Sequence, residues 1–434
     1  MLLSLYPIQT ADWSNELAAI QSNNPPIDPR MVKLGNVFTP ASPIQDADLF
    51  SGRSDLTLRI TDAVNQPGMH CILFGERGVG KTSLANILPA VIRGSIGKER
   101  LAAASVNCDT SDSYATLIRK LMQEILTVQE LPRLGFGSWS DIFETPISDH
   151  LPEQPTPNDL RRLMQSIPAN WLLILDEFDR LVDQGSVRLM TDTIKTLSDY
   201  SVPATIVLVG VADNVVTLLR EHQSVERCLT QVRMPRMTLD ELRAIIDNGL
   251  GQVGVDMDSS VTWQIPTISQ GYPHYTHLLT LHAARHALSS GRDTVNRADI
   301  EVAVNESIAR SEHSIRTSYS SAVYSANRSA LFEPVLLACA LAPTDELNYF
   351  NAQSVTAPLS YIMRRNMDVP AFARHLDRFC QPARGPVLYR EGQSRRYRYR
   401  FAVPLLRPFV LLQGIADKRI TIDDIGTFAN SQRS

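Results

Sequence analysis

The feature that most constrains the fold is an eight-residue segment in which three glycines lead up to a lysine and a threonine. Gly75-Glu-Arg-Gly-Val-Gly-Lys-Thr82 fits the pattern G-x-x-x-x-G-K-[ST]. The apolar run Cys71–Phe74 comes directly before it, and a helical stretch begins at Lys81. The order strand, glycine-rich loop, helix predicts an α/β domain with a parallel sheet and a nucleotide phosphate site at its edge.

The residue types of this loop each suit one part of a nucleotide. Its backbone N–H groups would point at phosphate oxygens, Lys81 would reach the β- and γ-phosphates, and the Thr82 hydroxyl would bind Mg²⁺. ATP and Mg²⁺ are therefore the expected cofactors. The predicted nucleotide-binding residues of the loop are Gly75, Glu76, Arg77, Gly78, Val79, Gly80, Lys81, Thr82 and Ser83.

A second apolar run, Trp171–Leu175, ends in two acids, Asp176 and Glu177. A strand here would deliver Asp176 to the carboxyl edge of the sheet, where it would hold the Mg²⁺ shell. Glu177 would polarise an attacking water. Such a strand alone is a weak signal, and a solvated acid pair is the alternative. Because it follows a phosphate-binding loop, the pair predicts an ATP hydrolase.

The pattern along the 434 residues changes several times, so one compact core is not expected. Strand-like and helical stretches alternate at first, purely helical patterns follow, and the last part reads as three helices and a β-hairpin. The predicted organisation is an N-terminal arm at 1–50, an α/β ATPase domain at 51–236 with an irregular insertion at about 130–158, a helical lid at 237–312, a linker at 313–328, a winged-helix domain at 329–412 and a tail at 413–434.

Composition excludes some classes of protein. A net charge of −4 and a pI of about 6.2 indicate no overall affinity for nucleic acids or membranes. No run approaches the roughly 18 apolar residues of a membrane span, and the first residues lack the basic region of a secretory signal. The five cysteines are far apart and suit buried, reduced thiols. A cytoplasmic protein is expected.

These motifs resemble the AAA+ superfamily and, within it, the origin-recognition initiators and related bacterial ATPases. Leu49–Arg53 is similar to the segment that lies against adenine in that family, which implies nucleotide contacts for Gly52 and Arg53. Ile206–Asn214 resembles the sensor-1 strand, whose terminal Asn orients the lytic water. The alternative interpretation of Asn214 is that it caps the next helix.

The resemblance also implies an arginine that reaches the ATP of a neighbouring subunit, and therefore a homo-oligomer. Arg227 occupies the matching place in Ser224-Val-Glu-Arg227. Arg220, Arg233 and Arg236 are competing candidates, and a surface salt bridge is the other reading of Arg227.

One departure from the family lies at the start of the predicted lid helix. There the family usually carries a sensor-2 arginine, whereas Gly271-Tyr-Pro-His274 has a histidine. A neutral imidazole brings little charge to the γ-phosphate, so weak hydrolysis and weak lid closure are implied. His274 and His277 would alternatively be lid-packing residues.

Positive charge is concentrated near the C-terminus: residues 326–412 hold 12 Arg, no Lys and 6 acids. On the predicted second hairpin strand, arginines alternate with Tyr397, Tyr399 and Phe401, so the two sets face opposite sides. Contact with DNA phosphates is one interpretation, and docking of a partner protein is the other. The candidate contact residues are Arg374, Arg378, Arg396, Arg398 and Arg400.

The sequence is compatible with three functions. The first is an ATP-dependent switch that assembles with neighbouring subunits and acts on DNA or a DNA-associated partner through its winged helix. The second is a weakly hydrolysing, nucleotide-gated protein scaffold in a signalling or defence system. The third is a DNA-binding regulator with a secondary ATP site.

Overall fold

The computed structural model describes residues 28–45, 50–96, 101–132, 140–211, 223–326, 331–393 and 396–430. Three residues named in the sequence predictions, Leu49, Asn214 and Arg220, lie outside these ranges, as does the arm up to residue 27.

Seven strands lie in the described part of residues 70–234. They are β1 (His70–Gly75), β2 (Leu101–Asn107), β3 (Leu126–Pro132), β4 (Ser140–Pro146), β5 (Asn170–Asp176), β6 (Ala204–Val211) and β7 (Leu229–Met234). Five of them form a parallel sheet in the order β2-β5-β6-β1-β7. The predicted parallel α/β fold is confirmed.

The sheet brings the motifs together because parallel strands end at the same edge. β5 is buried along Trp171–Asp176, as expected for a strand covered on both faces. β1 ends at Gly75 between β6 and β7, and a Cβ added there would lie only 2.4 Å from Met234 O. Only glycine allows the chain to turn into the phosphate loop this close to β7.

Helices flank the sheet on both sides. In chain order, the described helices before residue 200 are α1 (Pro29–Val37), α2 (Ser54–Asn65), α3 (Lys81–Ile96), α4 (Tyr114–Gln123), α5 (Pro157–Ser166) and α6 (Gln184–Asp199). The predicted irregular insertion differs from the structure, because β3 and β4 pair there as an antiparallel hairpin.

The lid is built from α7 (Leu239–Val253), α8 (Gln264–Ser269), α9 (Pro273–Ser289) and α10 (Arg297–Arg310), with the short parallel pair β8 (Asp256–Met257) and β9 (Thr294–Val295). Thr238 caps α7 in a capping box with Glu241, as the sequence predicts. The described part of the N-terminal arm lies against this lid, where Gly249 leaves room for the Phe38 ring.

The remaining elements are α11 (His313–Val323), α12 (Phe332–Leu341), β10 (Phe350–Asn351), α13 (Ala352–Met363), α14 (Val369–Phe379), β11 (Leu388–Glu391), β12 (Arg398–Phe401), α15 (Leu406–Ala416) and α16 (Ile422–Asn430). Three helices and a sheet in the order β10-β12-β11 follow the predicted sequence of elements. We call residues 331–430 the C-terminal region.

Two predicted segments differ from the structure. The serine-rich stretch expected as a linker forms α11, because Ile315 and Ala322 are buried and the Tyr319 ring packs edge-on against Phe409. The expected tail after residue 412 contains the end of α15 and all of α16, whose Ile425 is buried. No described helix is long and apolar enough to cross a membrane.

One apolar core joins the α/β domain, the helical lid and the C-terminal region. It runs from Leu73 of the sheet through Tyr275 of the lid to Leu411 of α15. A second, smaller core lies beneath α4, α5 and α6. The shared core holds the C-terminal region against the lid and the phosphate loop.

The buried His70 of β1 should make the stability of the folded protein depend on pH. Its Nδ1 accepts from Ile206 N at 2.9 Å, and burial lowers its pKa to about 4. The unfolded chain takes up a proton near pH 6.5 while the folded chain does not, so stability falls as pH drops from 6.5 towards 4. Between pH 7.5 and 5 we expect urea unfolding to show a His70-dependent loss of about 2 kcal/mol.

The His70→Gln variant should lack that part of the pH dependence, although it will be less stable at pH 7.5. His313→Gln, at an exposed helix position, should keep the wild-type pH dependence. Equal pH dependence in the His70→Gln and wild-type proteins would contradict the assignment.

Candidate nucleotide site

The phosphate loop leads from the end of β1 into α3. Gly78 and Gly80 have φ values of 86° and 96°, which L-residues with side chains rarely adopt. Lys81 Nζ donates to the carbonyl oxygens of Gly75 at 3.1 Å and Glu76 at 2.8 Å. Burial lowers the pKa of Lys81, and neighbouring Asp176 opposes this. The lysine thus lies at the loop with its charge bound to main-chain acceptors.

Asp176 ends β5 beside the first turn of α3. Burial raises its pKa, and hydrogen bonds from the Thr82 side chain and Glu177 N partly offset this. Oδ1 accepts from Glu177 N at 2.7 Å, whereas Oδ2 is buried with no hydrogen-bond partner in the described structure. A buried carboxylate oxygen without a donor, next to a threonine hydroxyl, is a donor set that fits Mg²⁺.

Glu177 follows with a left-handed backbone, φ 53°. It is the N-cap residue of the 3₁₀ turn Phe178–Arg180. Its Oε2 accepts from Arg180 Nη1 at 2.7 Å, and both side chains are about half exposed. The candidate base therefore has one oxygen engaged by a neighbouring arginine.

A cavity of about 820 Å³ opens between the phosphate loop, the arm and the lid, large enough for a nucleotide. Its apolar end is lined by Phe50, Met237 and Ile245. Predicted site residues that line it are Arg53, Arg77, Gly78, Val79, Gly80, Lys81, Thr82, Ser83, Asp176, Glu177 and His274. The structure thus brings most of the predicted set to one cavity.

Two predicted contacts near the apolar end have other partners within the protein. Arg53 is buried and donates from Nη2 to Pro235 O at 2.5 Å, with Gly52 before it at φ 78°. Ser83 Oγ accepts from Ile44 N at 3.1 Å, which ties the arm to α3. Both residues shape the cavity through these bonds.

The lid contributes two histidines to the cavity wall. His274 Nδ1 donates to Pro40 O at 2.9 Å, since a carbonyl oxygen only accepts. The Nδ1 proton is therefore not available to a phosphate in the cavity. His277 is buried against the Phe38 ring, and burial lowers its pKa to about 4. His277 thus packs the lid onto the arm.

Arg227 lies on the 3₁₀ turn Gln223–Cys228, away from this cavity. Its Nη2 donates to Asp199 Oδ1 at 2.8 Å, and its side chain is 73% exposed. Within one chain the structure therefore shows the salt bridge considered as an alternative.

Glu76 is the focus of a network that the sequence does not reveal. Its carboxylate accepts from Arg236 Nε at 2.9 Å, from Tyr272 Oη at 2.9 Å and from Asn348 Nδ2 at 2.8 Å. The Arg236 guanidinium also stacks over the Tyr272 ring, 4.6 Å from its centroid. One side chain of the phosphate loop is thus bound by the end of β7, by the lid and by the C-terminal region.

The C-terminal region also touches the loop through Leu405. A Cβ added to Gly78 would lie 2.8 Å from Leu405 Cδ2, so the leucine side chain covers that glycine. Leu405 O accepts from Tyr275 Oη at 2.8 Å, and Glu346 O accepts from Arg233 Nη2 at 2.9 Å. The C-terminal region therefore forms part of the wall of the nucleotide cavity.

The predicted basic residues are distributed over two elements. Arg374 and Arg378 are exposed on α14, and Arg396 is exposed just before β12. Arg398 pairs with Asp345 and Glu391, both at 3.2 Å. Arg400 stacks on the rings of Tyr349 and Tyr389. Tyr399 and Phe401 are buried on the other side of β12, which agrees with the predicted alternation.

Sequence reasoning missed Tyr272, Asn348 and Leu405 as parts of the site. Asn348 lies 272 residues after its partner Glu76, and no motif marks it. Tyr272 stands beside the predicted lid-helix start, but nothing there points to the phosphate loop.

Comparisons with known proteins give one family match and several similar solved structures. The profile of the family described as Novel STAND NTPase 1 matches residues 41–315. The ORC2 protein of Aeropyrum pernix, solved as ADPNP–ADP complexes, is 16% identical, with 88% of this chain and 98% of that chain covered and a TM-score of 0.48. The ORC1 protein of the same organism in complex with DNA is 14% identical, with coverages of 89% and 97% and a TM-score of 0.46.

The Walker-type ATPase of Pyrococcus abyssi is 14% identical, with 86% of this chain and 99% of that chain covered and a TM-score of 0.49. No curated protein matches the sequence.

Proposed function

The chain belongs to the novel STAND NTPase 1 family, and on that premise we propose that it is an ATP-dependent molecular switch whose C-terminal region opens and closes over the nucleotide site. The observation that carries this proposal is the hydrogen bond from Asn348 Nδ2 to the phosphate-loop carboxylate of Glu76. It joins the part of the molecule that binds phosphate to the part best placed to contact a partner.

Three charged groups needed for turnover are held by partners in the same chain. Lys81 is bound to main-chain carbonyls, Glu177 to Arg180, and Arg227 to Asp199. Turnover would therefore require these three groups to leave their present partners. Binding of ATP would draw Lys81 towards the phosphates, at the cost of its contact with the carbonyl of Glu76.

Hydrolysis would then depend on this chain's own acid pair. Thr82 and Asp176 would hold Mg²⁺, which when bound neutralises charge on the β- and γ-phosphates. Glu177, once released from Arg180, would take a proton from the attacking water. Because His274 occupies the place of the usual arginine and donates its Nδ1 proton to Pro40 O, that proton is not available to the γ-phosphate, and we expect slow turnover. This bond favours the alternative of a nucleotide-gated scaffold.

Assembly and the external partner complete the proposal. Arg227 would leave the half-exposed Asp199 to reach the nucleotide of a neighbouring subunit, which requires a homo-oligomer. The C-terminal region would act as a winged helix that contacts DNA or a DNA-associated protein through Arg374, Arg378 and Arg396. A cytoplasmic setting is supported by the buried thiols of Cys71, Cys108, Cys228 and Cys339.

Removing the Asn348 amide tests the switch directly. Asn348 has φ 65°, so the Asn348→Gly variant loses the hydrogen bond while the backbone conformation stays available. A hydrogen bond to a carboxylate contributes about 1.5–3 kcal/mol, so closure should weaken and a fluorescent ADP analogue should dissociate about tenfold faster. Stopped-flow displacement measures this rate.

Lys418→Gly is the matched control, because Lys418 is exposed and also has a positive φ, 55°. Its release rate should equal that of the wild type. A wild-type rate for Asn348→Gly, with equal protease resistance of the C-terminal region, would overturn the proposed switch.

A further inference from the structure

We infer that the outward face of the β11–β12 hairpin binds single-stranded nucleic acid, and that this binding loosens the Asn348–Glu76 contact through Asp345. The inference rests on the proposed switch. It adds the ligand that acts on the switch and the contacts through which that ligand loosens the Asn348–Glu76 hydrogen bond. The route consists of three consecutive contacts, from Arg398 to Asp345, from Asp345 to the 345–349 loop, and from that loop to the phosphate loop.

Asp345 organises the loop that carries Asn348. Its Oδ1 accepts from Leu347 N at 2.9 Å and Tyr349 N at 2.8 Å, and its main-chain oxygen accepts from Asn348 N at 2.9 Å. These bonds hold Asn348 in the left-handed conformation from which its amide reaches Glu76. The position of Asn348 therefore depends on the Asp345 carboxylate.

The second oxygen of that carboxylate belongs to the hairpin. Asp345 Oδ2 accepts from Arg398 Nη1 at 3.2 Å. Arg398 also pairs with Glu391 of β11, and its guanidinium lies 4.7 Å from the centroid of the Tyr349 ring. A ligand that binds Arg398 therefore competes with Asp345, which is itself a residue of the 345–349 loop.

The chemistry of this face favours nucleic acid. Arg400 lies 5.1 Å from the Tyr349 ring and 5.2 Å from the Tyr389 ring, and Tyr389 is 49% exposed. An exposed aromatic ring beside stacked guanidinium groups suits a base on the ring and phosphates on the arginines. An acidic peptide would use the guanidinium groups but has no base to stack on the exposed part of the Tyr389 ring.

The existing ion pairs are easy to displace. Arg398 and Asp345 are 46% and 42% exposed, so their pair contributes little in water. A nucleic acid strand offers several phosphates to residues 326–412, which hold 12 Arg and 6 acids. Arg398 would turn to a phosphate, Asp345 would lose its cation, and the loop would hold Asn348 less firmly.

The first experiment measures binding by the full-length protein. Anisotropy of a fluorescein-labelled oligothymidylate should show binding that weakens steeply with salt, and Arg398→Ala/Arg400→Ala should bind at least about tenfold more weakly. Arg188→Ala, at an exposed position of α6, should bind as the wild type does. No binding at low salt, or equal binding by the double variant, would overturn the inference.

The second experiment measures coupling. Oligothymidylate should speed the release of a fluorescent ADP analogue from the wild type about fivefold. Asp345→Asn and Asn348→Gly should still bind the strand, but their already faster release should not respond to it. Equal acceleration by poly-glutamate would assign the face to an acidic protein and contradict a nucleic acid ligand.

The two proposals can fail separately. If Asn348→Gly does not alter nucleotide release, the switch itself is wrong. If that variant speeds release but the oligonucleotide does not, only the hairpin's ligand and route are wrong.

Discussion

Replacing Glu177 by glutamine is expected to reduce ATP turnover by about 10²- to 10⁴-fold while nucleotide binding is retained. The amide cannot take a proton from water, but it preserves the size of the side chain and its place beside Arg180. The measurement is steady-state phosphate release, with binding of a fluorescent ATP analogue on the same samples.

Lys81→Ala is the complementary variant, because it removes the cation that lies at the loop carbonyls. It should lose both nucleotide binding and turnover, so the two variants separate binding from chemistry. Glu226→Gln is the control, since Glu226 is an exposed acid outside the cavity. Unchanged turnover in both Glu177→Gln and Lys81→Ala would show that the assigned site is wrong.

Those residues could be predicted because each belongs to a short segment whose role depends only on residues within or next to that segment. Gly75 to Thr82 needs only its own glycines and the strand before it, and Asp176 needs only the apolar run that ends there. Parallel pairing then brings the two segments to one edge of the sheet. Alternation of strand-like and helical stretches along the chain predicted that sheet.

The network around Glu76 could not be predicted, because its members come from four separate segments. Asn348 acts through one amide whose position depends on a turn made by Asp345. Leu405 meets Gly78 only because the C-terminal region packs on the lid. A single sequence contains no signal of such packing, since an asparagine or a leucine in a loop has many ordinary roles.

The helix α11 is a case in which the sequence prediction of a linker was wrong. Its sequence is rich in serine and weakly periodic, so the local pattern suggested a linker. Ile315 and Ala322 are enough to bury one side of the helix once α12 and α15 are present to receive it. Tertiary packing here outweighs a weak intrinsic preference.

Asp299 holds the lid in the shape that carries His274 to the cavity. Its fully buried carboxylate accepts from Arg292 Nη1 at 2.7 Å and Nη2 at 2.6 Å, from His286 Nδ1 at 2.5 Å and from Asn296 N at 2.8 Å. It thereby joins α10 to α9, whose first turn includes His274. A change at Asp299 should therefore affect stability and the nucleotide site together.

Asp299→Ala is expected to lower the free energy of unfolding by about 2–3 kcal/mol, because it leaves the partly exposed Arg292 and a main-chain N–H without their buried acceptor. Urea unfolding at pH 7.5 measures this loss. Asp247→Ala removes a half-exposed partner of Arg243 on α7 and should cost about 0.5 kcal/mol or less. A similar small loss in both variants would mean that the Asp299 network does not hold the lid together. A large loss with unchanged ADP affinity in the folded fraction would mean that the lid can loosen without disturbing the cavity.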